Sequence, residues 1–163
     1  MNNYEFVVGL RALRDYRDEA ISESDMAAIL EAARWTGSSK NLQKWAFVVV
    51  QEKAQLQRVA DCGTFTDPVR NSAATIVIVE EDGGYEFDSG RVAQNIMLAA
   101  DAIGVASCPI TLQRQGAAAE LLGLTHGRTC HYAVSLGYPA PAATPKVKGG
   151  RKPLDDLVHW ETY

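Results

Sequence analysis

The sequence predicts an α+β fold in which helices cover both faces of a central sheet. Two apolar runs, residues 46–50 and 73–79, are continuous and rich in β-branched side chains, which is typical of strands buried on both faces. Segments with apolar residues at helical spacing stand before, between and after these runs and supply the cover. With 163 residues, 47% hydrophobic and 22% charged, the chain has enough material for one globular domain. We therefore expect a single domain over residues 1–163.

The first predicted helix covers residues 24–35. Ser22 and Asp25 have the spacing of a capping box, in which a side chain at the helix start accepts a hydrogen bond from a backbone N–H group three residues later. Apolar residues then recur every three or four positions, and Gly37 is expected to end the helix.

Two further helices are predicted on either side of the second strand. The first carries Leu56 and Val59 and is followed by the breaker-rich residues 63–68. The second follows a turn at residues 82–84 and is the strongest helical pattern of the chain, with Asp88 as its expected N-cap. Its apolar face consists of Val92, Ile96, Ala99, Ala100 and Ile103.

The C-terminal part is predicted to contain a helix over residues 117–122, a strand over residues 131–136 and a short helix after Pro153. Between the strand and the final helix, residues 137–150 form a proline- and glycine-rich arm. Such an arm is stiff and extended and has little to bury by itself. We expect the region from about residue 137 to residue 163 to pack on a partner subunit.

Composition and charge exclude several classes of function. A net charge of −4 and scattered basic residues argue against a nucleic-acid partner held by bulk electrostatics. Cys62, Cys108 and Cys130 are far apart and have no Cys-Xaa-Xaa-Cys spacing, so we expect neither disulfides nor a metal site. The N-terminal residues lack a basic region followed by a long apolar run, and no segment approaches the roughly 20 apolar residues of a membrane span. These features predict a cytoplasmic protein without a membrane partner.

Motifs of several common enzyme classes are absent from the sequence. It contains no Gly-Xaa-Gly-Xaa-Xaa-Gly, no Walker A loop, no His-Glu-Xaa-Xaa-His and no Gly-Xaa-Ser-Xaa-Gly. His126, His131 and His159 stand apart, and core or surface roles are expected for them. Cys130 and His131 are neighbours in a predicted strand, where adjacent side chains point to opposite faces, so they are not expected to line one site.

Polar and basic groups are concentrated in other segments. Residues 36–45 carry Ser, Ser, Asn and Gln between a helix and an apolar strand, and their amide and hydroxyl groups suit a flat polar heterocycle. An ordinary capped loop is the alternative interpretation. The basic residues near the two ends of the chain are Arg11, Arg14, Lys148, Arg151 and Lys152. Arginines from distant segments can hold a phosphate dianion through paired hydrogen bonds, although solvated helix ends show the same residue types.

Four motifs, in matching order, resemble those of the FMN-dependent nitroreductases over essentially the whole chain. The family's Arg-Arg-Ser-Xaa-Arg-Xaa-Phe is similar to residues 10–16, Leu-Arg-Ala-Leu-Arg-Asp-Tyr. Its Pro-Ser-Xaa-Xaa-Asn-Xaa-Gln-Pro-Trp is similar to residues 37–45, Gly-Ser-Ser-Lys-Asn-Leu-Gln-Lys-Trp. Its Asp-Xaa-Gly-Xaa-Xaa-Xaa-Gln-Asn matches residues 88–95, Asp-Ser-Gly-Arg-Val-Ala-Gln-Asn. The fourth motif is Gly-Tyr-Pro at residues 137–139, followed by Arg-Lys-Pro-Leu at residues 151–154.

This resemblance implies a nitroreductase-like three-layer sandwich, with a central mixed sheet flanked by helices, and a homodimer that binds FMN at its interface. Arg11 and Arg151 would hold the phosphate. Arg14 would lie at the pyrimidine edge of the flavin, where its charge favours the reduced form. The cofactor-binding candidates in the polar loop are Ser38, Ser39, Asn41 and Gln43, of which the first three would reach FMN from the partner subunit. The main chain at Ile110 and Thr111 would approach the isoalloxazine.

The implied activity is transfer of two electrons from NADH or NADPH, through the flavin, to a small electron-poor acceptor such as a nitroaromatic or a quinone. The kinetics would be ping-pong, because donor and acceptor use the same flavin face in turn. No catalytic side chain is expected, since the hydride leaves flavin N5 and solvent can supply the proton. The sequence carries no motif that distinguishes NADH from NADPH or that names the acceptor.

Two departures from the family pattern leave alternatives open. Leu10 and Ala12 stand where the family has Arg and Ser, which removes phosphate ligands worth about 1.5 to 3 kcal/mol each, and Lys148 could compensate. Residues 63–87 are short where larger members insert helices over the flavin, which predicts an open pocket. The alternatives are a protein that binds or stores flavin without turnover and a structural domain without flavin.

Overall fold

The computed structural model describes residues 2–146 and 150–163. The helices are α1 (Asn3–Gly9), α2 (Glu23–Arg34), α3 (Lys53–Ala60), α4 (Asp67–Arg70), α5 (Glu86–Ala102) and α6 (Gln115–Leu121). The strands are β1 (Trp45–Val50), β2 (Ala74–Glu80), β3 (Ala106–Thr111) and β4 (Thr129–Gly137). Single 3-10 turns occur at Ser39–Asn41 and Leu154–Asp156. Within the described ranges, no helix is long and apolar enough to cross a membrane.

The four strands form one sheet in the order β1-β2-β4-β3. β2 and β3 run in the same direction and are joined through α5, but β4 lies between them and runs the opposite way. Every hydrogen-bonded pair of described strands is therefore antiparallel. The expectation of a mixed sheet is corrected accordingly, because the late strand β4 separates the two strands that would otherwise form the parallel pair.

Helices cover both faces of the sheet, which confirms the α+β class and the three layers. On one face, Ile76 and Ile78 of β2 pack with Ile29 of α2 and Ile96 of α5. On the other face, Val77 packs in a second core. Its members from the helices of that face include Leu56 of α3, Val69 of α4 and Ala118 of α6. β2 is buried on both sides, as its continuous apolar sequence predicted.

The predicted helix starts are confirmed for α2 and wrong for α5. Ser22 Oγ accepts a hydrogen bond of 3.1 Å from the Asp25 N–H group, as the capping spacing indicated. In α5 the N-cap residue is Tyr85, and the Asp88 N–H group already donates to the Tyr85 carbonyl over 2.9 Å. Asp88 therefore lies inside the first turn, where it pairs with Arg91 at 3.6 Å instead of capping the helix.

The sequence patterns missed α1, α4 and β3. β3 was missed because it contains Ser107 and Pro109 and lacks a β-branched run. Pro109 is tolerated because β3 is an edge strand of the sheet. The Leu112 N–H group, just beyond β3, donates to the His131 carbonyl of β4. Because alternate residues of a strand direct their N–H groups to the same neighbour, residue 109 is at a position where an N–H group would point away from β4.

Candidate functional site

Residues 10–16 and the loop after α3 both run along the outer edge of β3. The Leu13 N–H group donates to the Ser107 carbonyl over 2.9 Å on the side of β3 that faces away from β4. Alternate residues of β3 direct their N–H and C=O groups toward and away from β4, so those of Thr111 point to the same side as the Ser107 carbonyl. A Cβ atom on Gly63 would lie only 2.9 Å from the Thr111 carbonyl oxygen, so the absence of a side chain permits this close approach.

Tyr16 holds residues 10–16 against the sheet. Its hydroxyl oxygen lies 2.8 Å from Ser135 Oγ of β4 and 3.0 Å from the Leu13 carbonyl oxygen. Burial raises the pKa of Tyr16 well above its ordinary value, although the Ser135 hydrogen bond opposes that shift. A Cβ on Gly137 would lie 2.8 Å from Tyr16 Cβ, which explains why glycine begins the Gly-Tyr-Pro motif.

Arg14 is half-buried between β3 and a polar cavity. Its guanidinium lies close enough to the Cys108 thiol to oppose the rise in pKa that burial of this thiol causes. Arg14 also lines a cavity of about 390 Å³, whose further lining residues include Asp15, Phe65, Asp67, Asn71 and Lys146. Sequence patterns did not single out Phe65, Asn71 or Lys146, because no local motif brings residues 14, 65 and 146 together.

Arg11 and Arg151 are both exposed. Arg11 Nη1 donates to the carbonyls of Val8 and Leu10, each over 2.8 Å, so its guanidinium lies at the end of α1. Among the described residues, no hydrogen bond or ion pair connects Arg151 with residues 10–16. Lys148, the expected substitute ligand, lies outside the described residues. No contact among the described residues therefore joins Arg11 to Arg151.

Leu10 and Ala12 point toward the core instead of toward solvent. Both are partly buried against the hydrophobic cluster that includes α2 and α5. The Arg and Ser side chains of the family motif are thus replaced by side chains that pack, and Arg11 and Arg14 are the remaining cations of this segment.

The polar loop at residues 36–45 has an unusual backbone. Lys40, Asn41 and Gln43 have φ angles of 51°, 54° and 49°, which non-glycine residues rarely adopt. Ser38 Oγ accepts a hydrogen bond of 2.9 Å from the Gln43 N–H group and closes the loop. Ser39, Asn41 and Gln43 are exposed, and Ser38 is half-buried. Strained residues of this kind are concentrated at ligand sites, which favours the binding interpretation over an ordinary loop.

Two side chains of α5 hold the start of this loop. Asn95 Nδ2 donates to Thr36 Oγ1 over 2.8 Å, and Thr36 is 4% exposed. Arg91 Nη1 donates to the Gly37 carbonyl. The motif at residues 88–95 therefore positions the loop, a role that sequence spacing did not indicate. No hydrogen bond within the described ranges connects the loop to β3, so one chain brings Arg14 to β3 but not Ser38, Ser39, Asn41 or Gln43.

Ile110 and Thr111 line a second cavity, also of about 390 Å³, between α5 and the β3–β4 pair. Ile110 is buried, and Thr111 is exposed. The register turns the main-chain N–H and C=O groups of Thr111 away from β4, whereas those of Ile110 are turned toward β4.

Comparison with known proteins links these features to one group of enzymes. A profile described as the Nitroreductase family matches residues 9–83 and 63–138. A protein of Archaeoglobus fulgidus, provisionally named NADH dehydrogenase/NAD(P)H nitroreductase, is 33% identical over 140 residues, which cover 79% of this chain and 80% of the relative. An NADPH-flavin oxidoreductase of Vibrio harveyi is 27% identical over 182 residues, which cover 99% of this chain and 75% of the relative.

Solved structures show the same fold. An FMN-dependent nitroreductase of Clostridium difficile R20291 superposes with a TM-score of 0.84 at 24% identity, with 98% of this chain and 99% of that chain covered. Nitroreductase A of Vibrio parahaemolyticus superposes with a TM-score of 0.89 at 24% identity, with 100% of this chain and 77% of that chain covered.

Proposed function

We propose that this chain, which belongs to the nitroreductase family, is a flavin oxidoreductase that binds FMN and transfers two electrons from NADH or NADPH to a small electron-poor acceptor. Nitroaromatics and quinones are the acceptor classes that fit the proposal, and ping-pong kinetics are expected. The observation that carries it is the position of Arg14 beside the outer edge of β3, where the main chain of Thr111 is turned away from the sheet.

The residues around this edge fit the ring system of a flavin. Thr111 offers main-chain polar groups at this edge, and the half-buried Arg14 offers a guanidinium that lies near Cys108 of the same strand. Bound FMN supplies reversible two-electron chemistry that amino-acid side chains lack. A cation beside the flavin opposes the negative charge that accumulates on reduction, so Arg14 would stabilise the reduced cofactor.

Arg11 and Arg151 are the candidates for the phosphate of FMN. Arg11 uses Nη1 for the carbonyls at the end of α1, which leaves N–H groups of the same guanidinium for a ligand. Arg151 would join it from the C-terminal segment of the partner subunit. These cations suit one terminal phosphate, and the chain has no glycine-rich pyrophosphate loop, so FMN is expected in preference to FAD.

Homodimer formation is part of the proposal. α1 has no buried residue, and it exposes Tyr4, Val7 and Val8. The C-terminal segment also exposes large apolar side chains, namely Leu154, Leu157, Trp160 and Tyr163. Apolar surface of this extent is typical of a protein interface, and a second copy would supply both the polar loop and the C-terminal arm to the flavin site. A cytoplasmic location is consistent with the three free cysteines.

The visible spectrum of the purified protein, before and after addition of NADH or NADPH, tests this function. A flavin spectrum that is bleached by either nicotinamide and restored by a quinone supports the oxidoreductase. A flavin spectrum that neither nicotinamide bleaches contradicts it and favours the flavin-storing alternative. Protein that cannot be reconstituted with FMN contradicts both. Equal affinity for FAD would contradict the assignment of a single phosphate site.

Replacement of Arg151 by Ala tests the phosphate assignment. A charge-assisted hydrogen bond contributes about 1.5 to 3 kcal/mol, so FMN should bind at least about tenfold more weakly. Arg58→Ala, which removes an exposed arginine of α3, is the matched control and should leave the FMN affinity unchanged. An unchanged FMN titration for Arg151→Ala would remove this residue from the site.

A further inference from the structure

A groove of about 630 Å³ lies at the outer edge of β1, between α3 and α6. Its lining comes from β1, the two residues after this strand, α3 and the C-terminal end of α6. β1 and β3 are the two edge strands of the sheet, so this groove is at the opposite edge from Arg14 and Thr111. It shares no lining residue with the cofactor-binding candidates. We call it the β1 groove.

The floor of the β1 groove is apolar. Val50 is 4% exposed and belongs to the core that lies beneath α3, α4 and α6. Val48, Leu121 and Leu122 are partly buried against the same core. These side chains extend the core to the surface of the protein. Apolar groups of a ligand would therefore remove apolar surface of the floor from water.

Side chains of opposite charge stand toward the two ends of the groove. Glu52 precedes α3 and Arg58 lies in its last turn, six residues later, which corresponds to a rise of about 9 Å along the helix. The described residues give neither side chain an ion-pair partner, whereas the intervening Lys53 pairs with Asp18 at 3.2 Å. Arg58 Nη1 donates to the neutral Gln55 Oε1 over 3.2 Å, which leaves further N–H groups of the guanidinium for a ligand. A ligand with an ammonium group at one end and a carboxylate at the other would pair with both charges.

The groove also contains unpaired main-chain groups. The Lys44 carbonyl, just before β1, accepts a hydrogen bond of 3.2 Å from the Glu81 N–H group, so even-numbered residues of β1 direct their main-chain groups toward β2. The N–H and C=O groups of Val49 therefore point away from β2, at an edge where the described residues supply no further strand. Such an edge is a template for an extended peptide.

We propose that the β1 groove binds a short apolar peptide with free termini, which lies along the edge of β1. Its ammonium group would pair with Glu52 and its carboxylate with Arg58, while its main chain would bond to Val49. Its apolar side chains would cover the floor. Three extended residues span at most about 10 to 11 Å, which fits the rise between the two charges, so a length of about three residues is expected. This binding concerns a different edge of the sheet and does not require turnover.

Trileucine is the probe, and titration calorimetry on the full chain as purified measures its affinity. The N-acetylated and the C-amidated tripeptides serve as comparisons, because each lacks one terminal charge. Free trileucine should bind saturably, with one molecule per chain, and each blocked form should bind at least about tenfold more weakly. Equal affinity of all three forms would overturn the proposal and indicate a surface for a longer chain. No saturable binding of free trileucine would also overturn it.

Two variants test the charged groups. Glu52→Gln and Arg58→Gln should each weaken free trileucine at least about tenfold. The matched controls are Glu23→Gln and Arg34→Gln, which lie in the first and last turns of α2 and should leave the affinity unchanged. The side chains of Glu52 and Arg58 are exposed, so neutral replacements should preserve the fold.

The blocked peptides separate direct recognition from a structural effect of the variants. Glu52→Gln should not weaken the acetylated peptide further, because this peptide has no ammonium group, and Arg58→Gln should not weaken the amidated peptide further. Equal losses for all three peptides in either variant would refute the assignment of that charge.

Failure of the flavin proposal appears in a different measurement, the bleaching of the visible spectrum by NADH or NADPH. The two proposals can therefore fail independently.

Discussion

The contact between Asn95 and Thr36 should determine how firmly the polar loop is attached to α5. Thr36 is 4% exposed, and its hydroxyl accepts the Asn95 amide hydrogen bond over 2.8 Å. Asn95→Leu leaves this hydroxyl buried with one partner removed, which should lower the free energy of unfolding by about 1 to 3 kcal/mol. Thr36→Val leaves the Asn95 amide without its acceptor, but this amide is only half-buried and can turn to water. The free energy of unfolding should therefore fall by about 0.5 to 1.5 kcal/mol.

The double variant provides the decisive comparison. Replacing both partners with apolar groups removes the unsatisfied donor and acceptor together, so Thr36→Val/Asn95→Leu should lose less stability than the sum of the two single variants, by about 1 kcal/mol. Urea unfolding of all four proteins, followed by circular dichroism, gives the coupling free energy. Additive losses within about 0.3 kcal/mol would refute an energetic link between the loop and α5. If the loop reaches FMN in a dimer, both single variants should also weaken FMN binding.

Three further predictions concern the sheet and the proposed flavin site. Gly137→Ala should lower the free energy of unfolding by about 1 to 3 kcal/mol, because the new Cβ atom clashes with Tyr16. Gly9→Ala is the control and should change the free energy of unfolding little, because a Cβ atom there meets nothing within 4 Å. Equal urea midpoints for the two variants would contradict the packing argument. Burial raises the pKa of Cys130 from 9.0 to about 11, so the stability it contributes is complete below pH 9 and is lost as the pH rises toward 11. Between pH 9 and pH 11, the free energy of unfolding should therefore fall more steeply for the wild type than for Cys130→Val, by up to about 1.4 kcal/mol per pH unit. Arg14→Leu should slow flavin reduction by NADH or NADPH more than it weakens FMN binding, because the positive charge acts mainly as the flavin becomes anionic. Stopped-flow absorbance measures the reduction rate. An unchanged reduction rate would remove that role from Arg14.

Most helices and the buried strands could be predicted from local pattern. The capping spacing of Ser22 and the apolar period that follows it placed α2 within a residue at each end. The continuous apolar run of β2 indicated burial on both faces, and the structure has helices on both. These signals are local, because each depends on residues within one or two turns or within a single strand.

The candidate site was predictable in composition but not in arrangement. Motif order identified Arg11, Arg14 and the polar loop, and the resemblance identified Ile110 and Thr111. Nothing in the residue spacing showed that α5 holds the loop through Asn95 and Arg91. These contacts join residues more than 50 positions apart in the chain, where local periodicity carries no information.

The sequence by itself determined four of the six helices, three of the four strands, and the family motifs that the chain carries, but not α1, α4 or β3. Only the tertiary structure decided that β4 inserts between β2 and β3 and makes the sheet antiparallel. It also decided that β4 has one more residue than β2 between two paired positions, and that both His131 and Tyr132 contact Glu86 of α5. The physical reason is that burial and hydrogen bonding select the pairing of strands, and a shift of one residue in that pairing changes which side chains meet.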